Sequence, residues 1–308
     1  MNNLNFALFT DNSGEPSFYC KKNKFYRFAT NENISITDLP YTAFFSYPAL
    51  FDGFFINLNE NLYPKIEFDI IFAAVEKNPH FIDKLREEYP KAKIVGLYKE
   101  VWNHNIETRK YVIENTDAFA QPYFKVDFYQ KYKLPYPKNA YIIPQPTNHL
   151  ALQNRFGLVN KSPQIFNYNK IDAAGRKSIN NRIILDRVNL ILKEATYNGP
   201  KGLQPFIEYW NQCEYMLSTD TFNMGGVQSG QCAALNTIMI GSNTDYQNML
   251  FPDLVGIDPD FLVDRINKLY TNKKYKAEVK QYAFESFLSN YSFESVKNKI
   301  INLYKDLN

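Results

Sequence analysis

Residues 214–241 read EYMLSTDTFNMGGVQSGQCAALNTIMIG. The order is strand, glycine loop, helix, strand. The run 214–219 is short and rich in apolar residues, the mark of a buried strand. Residues 223–229 form a turn with two adjacent glycines, Gly225 and Gly226. Val227, Ala233, Ala234 and Leu235 give the next segment a helical apolar face, and 237–241 is the following strand. A glycine loop that opens a helix after a parallel strand is an anion site. The first N–H groups have no partner inside the helix, its dipole adds positive charge, and a missing side chain lets a diphosphate approach. Ser229 is a candidate to offer a phosphate its hydroxyl. The same glycines also fit a tight turn at a helix start that needs positive φ and no ligand.

Outward from this stretch the chain alternates. Residues 6–10 read as a strand, and DNSGEP at 11–16 is a strong turn. Strand and helix patterns then follow at 68–75, 79–89, 93–98, 103–115, 118–120, 128–132 and 141–143. Prolines 135, 137, 144 and 146 crowd the next stretch, and a linker is expected near 144–163. A second alternation runs through 164–168, 179–192, 195–198 and 205–213 into the glycine-loop unit. A small strand at 255–257 and helices at 260–270, 274–288 and 293–307 complete the chain. Strands alternating with helices imply βαβ units and parallel sheets.

At 308 residues the chain can bury one large core or two of Rossmann size. A net charge of +3 demands neither a nucleic-acid nor an anionic-membrane partner. Cys20, Cys213 and Cys232 are odd in number and far apart, so reduced thiols in a cytoplasmic protein are expected. The N-terminus lacks a basic region followed by a long apolar run, and no stretch approaches 18 apolar residues, so neither a signal peptide nor a transmembrane segment is read.

The pattern Gly225-Gly226-x-Gln228, followed by Ala233 and by Leu235 through Ile240, resembles the donor-nucleotide site of GT-B glycosyltransferases and of the related non-hydrolysing UDP-N-acetylglucosamine epimerases. IIPQPTN at 142–148 resembles the segment that ends the first half of those enzymes. The resemblance implies an α/β chain of two Rossmann-like parallel-sheet domains facing a cleft. Residues 1–150 would form the acceptor domain and 151–290 the nucleotide-sugar domain, with 291–308 a terminal helix returning to the first. It also implies donor contacts from Gly225, Gly226, Val227, Gln228 and Ser229. Family 4-type retaining transferases carry two glutamates seven residues apart across this loop, and the matching positions here are Asn223 and Gln231. Amides hydrogen-bond hydroxyls but cannot act as carboxylate nucleophiles. Alignment on the epimerase pattern moves the ribose position to Gly230. Arg176 and Lys177 match basic residues that face the diphosphate in related transferases. Asp245 and Tyr246 fall in the loop beside the donor sugar. The acceptor's base is expected from the first half, with Asp11 and Glu76 preferred over Glu100, His80 and His104.

Asp258-Pro259-Asp260 matches the D-x-D metal motif of GT-A enzymes, but an Asp cap with Pro in the first turn explains it fully. The reading is therefore a metal-independent glycosyltransferase without a bound cofactor. It moves a sugar from a nucleotide-sugar co-substrate, UDP-linked, to a hydroxyl of a polysaccharide, a protein, a metabolite or a modified DNA base. A nucleotide-sugar epimerase or hydrolase, and a catalytically silent binding protein on the same fold, are the alternatives.

Overall fold

The strand β1 (Phe6–Thr10) is buried along its whole length. Phe6 and Leu8 enter one hydrophobic cluster and Ala7 and Phe9 another, as the two-residue period of a strand requires. Such a strand belongs inside a parallel sheet covered on both faces. The computed structural model describes residues 4–11, 25–27, 46–51, 53–61, 63–97, 106–121, 129–130, 133–168, 180–189, 191–199, 203–219, 226–242 and 244–308.

After β1 come β2 (Phe25–Arg27), α1 (Ser46–Ala49), β3 (Phe54–Asn57), β4 (Ile70–Ala74), α2 (Phe81–Glu88), β5 (Lys93–Leu97), α3 (Ile106–Asn115), β6 (Ala118–Gln121) and β7 (Ala140–Ile142). These strands form a sheet in the order β2-β3-β1-β4-β5-β6-β7, parallel except for the edge strand β2. Ile82 and Leu85 of α2 and Val112 of α3 cover the face that holds Phe9.

The second half runs through α4 (His149–Phe156), β8 (Ser162–Asn167), α5 (Asn181–Val188), β9 (Lys193–Ala195), α6 (Leu203–Trp210), β10 (Cys213–Ser218), α7 (Gly226–Ala234), β11 (Ile238–Gly241), α8 (Asp245–Leu250), α9 (Pro259–Thr271) and α10 (Lys273–Asn290). Its sheet is parallel throughout, in the order β11-β10-β8-β9. A last helix, α11 (Phe293–Asp306), buries Val296, Ile300 and Leu303 against the cluster around Phe6 and Leu8. Those three positions, at i, i+4 and i+7, make one helical stripe. The chain accordingly divides into two compact units. Met1–Ile34, Asp38–Pro146 and Phe293–Asn308 make the first, and Thr147–Ser292 carries the second.

Two expectations change here. The stretch expected as a linker contains α4. The Asn148 side chain accepts from the Ala151 N–H at 3.0 Å, and Gly157, with φ of 70°, closes the other end through its N–H to the Gln153 carbonyl. Residues 255–257 are not a strand. Gly256 N–H donates to the Ser242 carbonyl at 2.9 Å as a single link rather than a ladder.

In both sheets the strand order reverses once. The chain goes from β1 to β3 on one side and then to β4 on the other. It goes from β8 to β9 and then to β10 across β8. In open α/β sheets ligands bind outside the carboxyl ends of the strands at such points.

The opposite end of β10 is held by charge. Glu214 accepts from Lys276 at 2.9 Å and from Lys280 at 3.0 Å, and all three side chains are largely covered. Burial alone pushes the Glu214 carboxyl up, but its bonds to both lysines outweigh this and hold it below the usual carboxylate range. A depressed carboxyl adds stability above its unfolded value, about pH 4.3, and loses it as pH falls through the folded value. Glu214→Gln is expected to lower the melting temperature at pH 7 and to flatten its fall between about pH 5 and 3. Melting curves across that range check this; parallel curves for the two proteins count against it.

Candidate functional site

The reversal point of the second sheet is built around one buried amide. Asn181 opens α5, directly outside the carboxyl ends of β8 and β10. Its Oδ1 accepts from the Thr219 N–H at 2.9 Å and from the Thr219 hydroxyl at 3.0 Å. Its Nδ2 donates to Asn167 Oδ1 at 2.8 Å and to the Leu217 carbonyl at 3.3 Å. Asn180 adds its N–H to Thr219 Oγ1 at 3.0 Å and its Nδ2 to the Ile257 carbonyl at 2.7 Å. Two donors and a twice-accepting oxygen are all used, so neither aspartate nor leucine can replace Asn181. Two strand ends are thereby fixed to one helix start. The sequence reading passed over Asn181, because an asparagine among many carries no distinguishing signal.

Residues 169–179 leave from the end of β8 and residues 220–225 from the end of β10. Arg176, Lys177, Asn223 and Gly225 lie in these stretches, outside the described residues. The helix that follows, α7, begins at Gly226 with Val227 in its first turn. From Gln228 to Leu235 every residue is buried. The Gln228 side chain lies against the Cys232 thiol, and its Nε2 has no nitrogen or oxygen acceptor in good geometry among the described residues. A buried amide donor left unpaired costs free energy, so a ligand oxygen arriving there recovers it. One turn on, burial pushes the Cys232 thiol up to about 12, which keeps it a neutral, inert core group.

Three expected contacts move into the core. Ser229 is fully buried, and its hydroxyl donates to Gln247 Oε1 at 3.1 Å and lies 3.2 Å from Met239 Sδ. It secures α7 to α8 and β11 and is not turned to a phosphate. Tyr246 is buried with its ring 4.8 Å from that of Tyr291. It and Asp245 belong to α8 rather than a loop, because Thr244 caps the helix by accepting from the Gln247 N–H. Asp245 stays exposed in the first turn, where a negative charge suits the helix dipole. Gln231 is buried midway along α7.

In the first unit Asp11 stands at the end of β1, at that sheet's reversal point. It is fully buried. Its Oδ1 accepts from the Glu76 N–H at 2.8 Å, and its Oδ2 from the N–H groups of Lys77 at 2.8 Å and Asn78 at 2.9 Å. Both oxygens are spent on holding the turn after β4. Asp11 is thus a structural clamp and not a free base. Glu76 sits in that clamped turn, at the carboxyl end of β4. His80 is exposed and pairs with Asp83 at 3.3 Å. Glu100 and His104 lie outside the described residues. The D-x-D carboxylates are both engaged. Asp258 caps α9 by accepting from the Phe261 N–H at 2.8 Å, and Asp260 pairs with Arg187 at 2.6 Å.

No protein-family model and no curated protein matches the sequence. Solved structures do. HepE of Anabaena, in complex with UDP and glucose, is similar over 98% of this chain and 99% of its own, at 10% identity and a TM-score of 0.55. Sucrose-phosphate synthase from Thermosynechococcus elongatus is similar over 78% of this chain and 74% of its own, at 12% identity and a TM-score of 0.54. The fold is GT-B. A third GT-B structure, a mutant of S. aureus TarM in complex with Fondaparinux, alpha-GlcNAc-glycerol and UDP, is similar over 80% of this chain and 57% of its own, with 14% identity and a TM-score of 0.52. In this GT-B chain the described residues include no helix long and apolar enough to cross a membrane.

Proposed function

We propose that this protein transfers a sugar from a UDP-linked donor to an acceptor hydroxyl without a metal. The observation that carries this is where the glycine loop falls. It lies between the end of β10, at the reversal point of a parallel sheet, and the start of α7 at Gly226. Support comes from the GT-B fold, whose neighbours HepE and TarM are described with UDP.

In this reading the diphosphate lies on the first N–H groups of α7, where unpaired donors and the dipole favour negative charge. Gln228 Nε2 donates to a donor oxygen. Arg176 and Lys177 offset the charge that develops on the leaving diphosphate, a role that needs fixed cations rather than a metal. Asp258 and Asp260 take no part, being committed to a helix cap and to Arg187. Glu76, at the carboxyl end of β4 in the turn that Asp11 holds, is proposed to draw the proton from the acceptor. The amide Asn223, where family 4-type transferases carry a glutamate, motivates a second reading, nucleotide-sugar binding without transfer, because an amide cannot act as a carboxylate.

The test is a melting-temperature screen against nucleoside diphosphates and nucleotide sugars. Ligand at a hundredfold its Kd stabilises by about 2.7 kcal/mol, and for a unit of this size that is a rise of roughly 5–11 °C. UDP is expected to give such a rise, inorganic phosphate much less, and chelator no change. Gly226→Ala should weaken the UDP shift while far-UV circular dichroism stays native. If no nucleoside diphosphate moves the transition, the transfer reading and the binding reading both fall.

A further inference from the structure

The first unit carries a pocket of about 550 Å³ beside α3, within the roughly 300–1,000 Å³ of small-molecule sites. None of the residues considered for donor binding lines it. Its apolar part comes from Leu134, Pro135 and the ring of Tyr136, and its rim from Lys110 and Glu114 of α3 with Lys133. Main-chain hydrogen bonds shape the wall. Lys133 is left-handed, with φ of 51°, its N–H donates to the Gln130 carbonyl, and the Leu134 N–H donates back to the Tyr129 carbonyl at 2.9 Å. Pro135, which has no N–H, cannot extend this pattern of bonds. Tyr136 is 55% exposed, yet its ring is set edge-on against Tyr129 at 5.5 Å. Tyr129 is itself buried and donates its hydroxyl to Gln121 Oε1. A large exposed ring packed edge-on against a buried one is partly oriented before binding, which lowers the entropy lost on binding.

The chemistry of the lining selects the ligand. An apolar floor with a rim of donors and acceptors suits a molecule that is apolar on one face and hydroxylated at its edge. A pyranose ring has that form, with C–H groups on its face and hydroxyls around it. The negative face of an aromatic ring attracts such C–H groups. Lysine donates to hydroxyl oxygens and a carboxylate accepts from hydroxyl protons. Lysines and a glutamate on one rim disfavour both a polyanion and a cation. We propose that this pocket binds a pyranose unit of a saccharide chain, with Tyr136 as its platform. The site uses first-unit residues only and does not depend on nucleotide binding by the second.

The test uses the full chain on a printed glycan array, with saturation-transfer NMR on maltotriose, cellotriose and chitotriose at millimolar concentration. At least one saccharide should receive saturation, strongest on its ring C–H protons. Tyr136→Ala should weaken that binding roughly fivefold and Tyr136→Phe should retain it. The UDP melting shift should be the same in both variants as in the parent. Absence of binding to every array and NMR probe overturns the proposal. So does equal binding by Tyr136→Ala, or loss in Tyr136→Phe as large as in Tyr136→Ala. Because UDP is measured on the same samples, failure of the saccharide site is distinguished from failure of the donor site.

Discussion

Replacing Gly241 by alanine is expected to cost the second unit a large share of its stability. Gly241 ends β11 and pairs with Ser218 at the end of β10. Its φ is 87°, and a Cβ built there meets the Ser218 carbonyl oxygen at 2.3 Å. Two penalties therefore add. A left-handed backbone costs an alanine about 1–2 kcal/mol, and the clash is with a main-chain atom of the sheet that cannot swing aside. Together they come to roughly 3–5 kcal/mol, a large share of the about 5–15 kcal/mol that keeps a domain folded. The next residue, Ser242, also has positive φ, at 62°, and its carbonyl accepts from Gly256. The sharp exit from β11 is thus fixed on both sides, and the chain has no slack to absorb a side chain. Gly157→Ala is the comparison. Its φ is also positive, at 70°, but the nearest atom lies 3.8 Å from the new Cβ. It pays the conformational penalty alone, about 1–3 kcal/mol. Denaturant melts of the two variants measure the difference. Equal midpoints for Gly241→Ala and Gly157→Ala would show that the contact with Ser218 is easily relieved.

Gly241 also shows where the sequence stops being readable. Its strand was legible, because Ile238, Met239 and Ile240 form an apolar run next to the glycine-loop helix, but a glycine closing a strand does not announce its φ. The alternation from residue 68 onward was legible for a similar reason. Ile70–Ala74 and Lys93–Leu97 are buried on both faces, so they read as continuous apolar runs. The cap at Asp258 with Pro259 was legible because a cap is a local bond, three residues long. The helix at His149–Phe156 was hidden by the prolines at 144 and 146, although Asn148 and Gly157 bracket it. In the candidate site, polarity misled. Ser229 fits a ligand contact by its place in the glycine loop, and Tyr246 by the resemblance to GT-B enzymes. Instead α7 packs against α4, α8 and α10, and a helix covered on several sides buries its polar residues along with the apolar ones. Which hydroxyl meets Gln247 and which ring meets Tyr291 depends on segments far apart in the chain, and no local pattern encodes it. Asn181 escaped notice for the same reason. Its partners are Asn167 and Thr219, 14 and 38 residues away.

The Asp11 clamp is the longest-range instance and gives the sharpest test of a site residue. Its carboxylate meets N–H groups 65 to 67 residues further along the chain. Read locally, it was an acid at the end of a strand, suited to take a proton from an acceptor. The geometry gives it another function. Asp11→Ala leaves three main-chain donors without their acceptor, in a turn where Glu76 is half-buried and Lys77 and Asn78 are exposed, so water replaces part of what is lost. Each such loss costs about 1–3 kcal/mol when water cannot replace the bond, and a total of roughly 3–5 kcal/mol is expected for the variant. Asp11→Asn is milder. Its one oxygen still accepts two bonds, but its NH₂ now faces a main-chain N–H, so a smaller loss is expected. A catalytic base behaves differently. Both variants would then melt like the parent and lose turnover to a similar degree, because neither alanine nor asparagine takes a proton. The expected order in melting temperature is parent, then Asp11→Asn, then Asp11→Ala, with the UDP shift preserved in whatever fraction stays folded. Glu76→Gln completes the comparison. It keeps the clamp, since only the Glu76 main chain is bound by Asp11, and it should melt close to the parent while removing the carboxylate. If Asp11→Ala and Asp11→Asn melt with the parent and lose transfer while Glu76→Gln keeps it, the assignments of clamp and base are reversed.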